Sequence, residues 1–237
     1  MRLYLASRSP HRRELLTQMG VAFDTVIFRT GLRIDPQVDE RPHPGEAAPT
    51  YVERVARAKA EHGINLLLER RLPLRPVLAA DTTLEFAGEI IGKPVDEADA
   101  AAILRHLSGQ THEVLTGVAV SHEGRTEYVL STSEVRFRTI EDEEIRRYVL
   151  SGEPMDKAGA YGIQGRAGLF VEYMAGSYTG VMGLPVCETG ELLKRFGRVP
   201  KRGEQLTVDQ LSFRVLRADS RRVYLLQVTK KLDKPAA

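Results

Sequence analysis

LYLASRSPHRRELLTQMG, residues 3–20, is the stretch that sets the fold class. Residues 3–6 form a brief apolar run bounded by Ser7, and RELLTQMG then shows helical spacing closed by Gly20. Strand, polar turn and helix in that order open an α/β domain. Ser7 and Ser9 are candidate helix caps, Pro10 suits a first helical turn, and Arg12 and Arg13 follow closely. A helix N-terminus offers backbone N–H groups and a positive dipole to an anion, and Arg12 can fork two phosphate oxygens. A capped helix with solvated arginines accounts for the same letters.

Moving outward, residues 21–28 predict a second strand, and GLRIDPQVDERPHPGEAAP after them is a polar, proline-rich loop carrying Asp39 and Glu40. Acidic loop residues serve as ligands or are simply solvated. YVERVARAKAEHG, residues 51–63, puts Tyr51, Val52, Val55 and Ala56 on one face and predicts an amphipathic helix ending at Gly63. Lys59 lies one turn after Val55 at the edge of that face, where spacing alone favours water over a site. PVLAA, residues 76–80, predicts a buried strand that runs into Asp81, Thr82 and Thr83. Ligands in open α/β sheets gather beyond the carboxyl ends of strands, which makes Asp81 the best-placed acid in the chain. A turn or capping role for Asp81, and a surface role for Lys93 in GKP, account for the same pattern.

Residues 87–89, AGE, predict a hairpin turn, 97–107 a helix, 111–121 and 125–138 successive strands, and 140–150 a charged helix with its acids near the start. Residues 168–173 and the VMG at 181–183 predict further strands, and 188–196 a last helix. Between these, EPMDKAGAYGIQG at 153–165 holds two carboxylates, Lys157, three glycines and Gln164. It is too glycine-rich for a stable helix and too polar for a buried strand, so its glycines serve a sharp turn or a bound group.

With 42% hydrophobic and 28% charged residues, the composition is that of a folded soluble protein and argues against disorder or a membrane class. Basic and acidic residues number 34 and 32, so no charge excess points to nucleic acid and any anion site must be local. The single Cys187 excludes an internal disulfide and a thiolate zinc cluster, and a cytoplasmic address fits. The first apolar run is too short for a signal peptide or a membrane span. No serine sits in a nucleophile elbow, and P-loop and Rossmann glycine patterns are absent.

Taken in order, LASRSPHRRELL (5–16), YVERVARAKA (51–60), AADT (79–82), GKP (92–94), LSGQTHEVLTG (107–117), SGEPMDKAGAYGIQG (151–165) and GSYTGVMGLPVCET (176–189) resemble the Maf family of nucleoside triphosphate pyrophosphatases. The resemblance implies an α/β fold related to inosine triphosphatases, with two lobes around an elongated mixed twisted sheet and a central cleft. It also implies a homodimer and hydrolysis of a nucleoside triphosphate substrate at the α-phosphate, giving a monophosphate and pyrophosphate with a divalent metal, Mg2+, Mn2+ or Co2+. Carried over by motif, Ser7 and Arg12 bind phosphate, Arg13 is a further substrate-binding candidate, Lys59 and Lys93 neutralise the phosphate, Glu40 helps hold the metal, and Asp81 is metal ligand or general base. The physical sense is that cations offset the charge that repels an incoming hydroxide.

Within the family, GAYGIQG resembles the subgroup acting on dTTP and UTP, and Gln164 offers both a donor and an acceptor to a pyrimidine edge. Thr82 and the position of His11 are implicated in substrate choice. His11 stands where that subgroup usually has the first arginine of SPRR, and if His11 faces the nucleotide the exchange lowers phosphate affinity near neutral pH, where an unperturbed imidazole is mostly uncharged. A 7-methyl-GTP subgroup differs in the 153–165 segment and is the alternative, together with a nucleotide-binding regulator of cell division without turnover.

The likeness runs from Arg2 to about Gly197 and implies a Maf-like domain over residues 1–199. Residues 200–237 carry nine basic and four acidic side chains, a net charge of +5. Alternation at Leu211, Phe213 and Val215 and again at Val223 and Leu225 predicts a C-terminal β-hairpin extension. This piece resembles the closing strands of the transporter-associated domain of CorC and HlyC-type proteins. It is too short for its own core and serves either as a docked extension or as a basic arm; nucleic-acid binding is the less favoured use.

Overall fold

The computed structural model describes residues 2–28, 38–196, 205–208, 211–218 and 223–230. The chain forms two compact units, Met1–Leu193 and Lys194–Ala237.

In the first unit, β1 (Arg2–Leu5) leads through a polar turn into α1 (Pro10–Gln18), as the opening stretch predicts. Ser9 is the cap: its hydroxyl accepts from the Arg12 N–H, with Pro10 in the first turn. Next come β2 (Ala22–Thr25), α2 (Ala48–Glu69), β3 (Val77–Phe86), β4 (Glu89–Ile91), α3 (Glu97–Leu107), β5 (Thr111–His122), β6 (Arg125–Phe137) and α4 (Asp142–Leu150). β7 (Val171–Ala175), α5 (Tyr178–Val181) and α6 (Val186–Phe196) follow.

Seven strands make one mixed sheet in the order β2-β1-β3-β5-β6-β7, with β4 added to β3. β1 is parallel to β2 and β3, whereas β3, β5, β6 and β7 run antiparallel in turn. Hydrophobic clusters lie on both of its faces. Val77 and Ala79 of β3 pack with Ala56, Ala60, Leu66 and Leu67 of α2. Leu84 packs with Leu104, Leu107, Ile145 and Tyr148 of α3 and α4. Alternation along a strand sends odd and even residues to opposite faces, so one long strand serves both lobes.

The gap between the lobes follows from the pairing. β3 pairs with β1 as far as Leu5 opposite Leu78, and with β4 only from Leu84 opposite Ile91. On that edge no described strand flanks residues 79–83, so Asp81 and Thr82, on opposite faces, are both reachable from one cleft.

Three sequence expectations need correction. Helix α2 does not stop at Gly63 but runs on to Glu69. A Cβ at Gly63 would lie 2.6 Å from Val77 Cγ1, so this glycine permits close helix–sheet approach inside the helix and is not its terminator. The strand expected at 168–173 starts only at Val171, after a 3-10 segment Arg166–Phe170, because the β6 ladder ends at Phe137 opposite Val171, and beyond it Arg138 alone reaches back, its N–H to the Phe170 carbonyl and its Nε to the Leu169 carbonyl. The expected strand at 181–183 overlaps α5, which Ser177 caps by accepting the Gly180 N–H.

In the second unit, β9 (Leu211–Ala218) and β10 (Val223–Lys230) form the expected antiparallel hairpin, and β8 (Gln205–Val208) adds a third strand on the other side of β9.

Candidate active site

The cleft is built from the turn after β1, the start of α1, the middle of α2 and residues 81–82 of β3. Arg12 is its central cation. Its Nε donates to the Gly183 carbonyl at 2.8 Å, one terminal nitrogen donates to Thr82 Oγ1 at 3.1 Å, and the other to Ser7 Oγ at 3.4 Å. Ser7 Oγ also accepts the Ser9 N–H, so it braces the turn and the arginine together and does not cap the helix. A guanidinium has five N–H bonds, and three are used here, leaving two for a ligand. Burial pulls the Arg12 pKa below its ordinary value, while Asp81 and Glu40 pull it up. A half-desolvated guanidinium facing two carboxylates remains cationic and binds anions more strongly than a solvated one.

Lys59 does not go to water. Its Nζ lies 2.8 Å from Asp81 Oδ1 and 2.8 Å from Glu40 Oε2, and its side chain is 12% exposed. The helical spacing that left it at an edge is correct. What that spacing lacks is the tertiary partner: the β3 edge supplies Asp81 and the loop before α2 supplies Glu40. The loop is held from α2. Tyr51 donates its hydroxyl to the Glu40 carbonyl, and Arg54 donates to the carbonyls of Asp39 and Arg41 on either side and to the Glu46 carboxylate. Arg54 was invisible as a site-builder in the sequence. Its one signal is the i, i+3 spacing from Tyr51, which puts both on the same flank of α2.

Two carboxylates converging on one point already hold a positive charge there. Among the described residues no group of three or more His, Cys, Asp or Glu side chains forms a metal cage. A pair of hard oxygen donors nevertheless suits a cation that completes its shell with substrate phosphates and water, so the residues fit such an ion.

The 153–165 segment forms 3-10 turns at Glu153–Asp156 and Ala158–Ala160. Gly159 has φ 69°, and a Cβ there would meet Leu84 Cδ1 at 2.4 Å, so this glycine answers to both turn geometry and close approach. Lys157 donates to Asp156 at 2.6 Å and to the Glu153 carbonyl at 2.7 Å, making this ion pair a brace within the segment. Its far end reaches the cleft. Gln164 Nε2 donates to His11 Nε2 at 2.8 Å, which puts the imidazole proton on Nδ1. Of the remaining sequence candidates, Arg13 is exposed on α1, and Lys93 is exposed beside the segment; burial pushes the Asp156 pKa up, but the hydrogen bond and charge of Lys157, with a smaller part from Lys93, hold it below its ordinary value. The structure thus brings Ser7, Arg12 and Thr82 together, joins Lys59 to Asp81 and Glu40, joins His11 to Gln164, and leaves Arg13 apart.

The fold is a mixed α/β sheet whose open strand edge gathers a half-buried arginine, a lysine and paired carboxylates, a set of side chains suited to a polyanionic ligand. The chain belongs to the Maf family: the model described as Maf-like protein matches residues 2–196. A dTTP/UTP pyrophosphatase of Dechloromonas aromatica is 76% identical over 200 residues, covering 84% of this chain and 100% of its own length. Proteins of the same name from Aromatoleum aromaticum and Chromobacterium violaceum are 64% and 53% identical, each covering 83% of this chain and 96% and 95% of their own lengths. Residues 189–231 match a second model, described as Transporter associated domain. A solved Ham1 protein of Staphylococcus aureus is 17% identical with a TM-score of 0.39, covering 58% of this chain and 72% of its own, too distant to bear on function. No helix among the described residues is long and apolar enough to cross a membrane.

Proposed function

We propose that this chain hydrolyses dTTP and UTP to the nucleoside monophosphate and pyrophosphate. The observation that carries the reading is the convergence of Arg12, Lys59, Asp81 and Glu40 on the open edge of β3. The relatives named dTTP/UTP pyrophosphatase supply the substrate class. The two unclaimed N–H bonds of Arg12 take phosphate oxygens, and the Ser7 and Thr82 hydroxyls hold that guanidinium in place. Lys59 offsets the charge of the polyphosphate, which otherwise repels an oxygen nucleophile. Asp81 accepts a hydrogen bond from the attacking water and orients it toward the α-phosphorus. Asp81 and Glu40 would hold a divalent cation, magnesium, manganese or cobalt, which would supply further neutralisation of the polyphosphate charge. Gln164 and His11 present a donor and an acceptor on the nucleoside side.

The proposal extends to a cytoplasmic homodimer, which light scattering of the purified chain checks in its oligomeric part. The decisive experiment is a pyrophosphate-release screen over standard and modified nucleotides with each of the three metals. Pyrophosphate as the first product from dTTP and UTP, lost in a folded Asp81→Asn variant, is the expected result. Orthophosphate as the first product overturns it.

A further inference from the structure

Hydroxyl protons can be assigned around Thr116, and the assignment leads to Arg12. Thr116 lies on β5, fully buried, directly opposite Thr82 of β3 in the ladder. Its Oγ1 is 2.7 Å from the Gly180 carbonyl and 2.9 Å from Thr82 Oγ1. A carbonyl only accepts, so the single Thr116 proton goes to Gly180. Thr82 must then donate to Thr116, and its remaining acceptor capacity faces the Arg12 terminal nitrogen at 3.1 Å. The chain of donors therefore runs one way, from Arg12 to Thr82 to Thr116 to Gly180.

The second grip on Arg12 leads to the same place. Gly183 O accepts Arg12 Nε at 2.8 Å, and the Gly183 N–H donates at 2.8 Å to the Gly180 carbonyl that Thr116 holds. Two of the arginine's three partners, one on β3 and one in the turn after α5, are thus tied to one buried hydroxyl, and only Ser7 is not. We propose that Thr116 is a positioning residue for the anion-binding arginine: without touching the nucleotide, it fixes the proton on Thr82 and the turn at Gly183 that together aim the guanidinium. A valine has the same shape but can do neither. It leaves the Thr82 proton without its acceptor, free to swing toward the Arg12 N–H donors it now faces away from.

This inference rests on the reading that Arg12 takes a phosphate of the substrate. The test is calorimetric binding of inorganic pyrophosphate, with magnesium, to the full chain and to Thr116→Ser, Thr116→Val, Thr82→Val and the double valine variant, alongside KM and kcat for dTTP. Thr116→Ser keeps the hydroxyl and should bind within about twofold of the parent. Thr116→Val should bind about tenfold more weakly, a loss of about 1.4 kcal/mol, as for one misdirected buried hydrogen bond. Its loss should fall on KM more than on kcat, since Asp81 is untouched, and adding it to Thr82→Val should cost less than it costs the parent, because only the grip on the Gly180 carbonyl is then left to lose. If Thr116→Val fails to fold, Thr116→Cys replaces it, because a thiol keeps the volume but is a weak donor and acceptor, and the same loss is expected.

Parent-like binding by the valine variant, equal losses in serine and valine variants, or multiplicative losses in the double variant would each overturn the proposal, as would a parent chain that does not bind pyrophosphate. A parent that binds pyrophosphate but releases none from any nucleotide removes the proposed reaction and leaves the binding series to decide the role of Thr116.

Discussion

Lys59 is the most informative residue to remove, because stability and chemistry pass through the same atoms. Its Nζ is 2.8 Å from Asp81, and the two side chains are 12% and 10% exposed, whereas the Glu40 side chain is 50% exposed. Removing one partner of a buried pair leaves an uncompensated charge at a cost of roughly 3–5 kcal/mol, whereas removing both is often close to neutral. Lys59→Met should therefore destabilise the first unit by about 3 kcal/mol, the lower end, since half-exposed Glu40 loses little when left to water. Asp81→Asn should cost only about 1 kcal/mol, because Lys59 keeps Glu40 and the new amide oxygen still accepts from Nζ. The double variant should recover about 2 kcal/mol of the sum of the two single losses. The assay is urea unfolding followed by circular dichroism in metal-free buffer, so that no bound ion compensates for the missing ammonium. Two results would refute the reasoning: a Lys59→Met variant within about 0.5 kcal/mol of the parent, or strictly additive losses in the double variant.

His112 is buried, with Nε2 2.9 Å from the Tyr161 hydroxyl, and burial pushes its pKa down to about 4. The unfolded chain takes up this proton near the ordinary value of 6.5 and the folded chain does not, so stability is fully present above pH 6.5 and falls as pH drops toward 4, by about 3 kcal/mol in all. His112→Phe should lose that part of the slope, and parallel pH–stability curves for variant and parent would count against the assignment. At the nucleoside end, Gln164→Ala should lower the ratio of kcat/KM for dTTP over a purine triphosphate by about tenfold, the worth of one hydrogen bond, while the turnover number for dTTP changes less. An unchanged ratio would place Gln164 away from the base.

Much of the fold was legible because it is written in local terms. The cap at Ser9, the apolar face of α2, the long antiparallel pair β5 and β6, and the acidic start of α4 are all decided by spacing and by neighbours a few residues away. The misreadings fall where local and tertiary demands part. Gly63 has the look of a helix end and is instead a contact surface against Val77. The apolar letters at 168–170 suit a strand, yet the neighbouring ladder stops at Phe137.

The sequence by itself determined the elements, their order, the motifs and the residue types of the cleft. Only the tertiary structure decided what those residues do to one another. His11 meets Gln164 across 153 positions, Lys59 leaves the solvent edge to join Asp81 and Glu40, and Thr116 acquires a role through Gly180, 64 positions on. The reason is physical. Periodicity reports which face of an element is apolar, whereas the partner of a buried charge and the direction of a buried hydroxyl depend on which acceptors the folded sheet brings within 3 Å, and that distance has no counterpart along the chain.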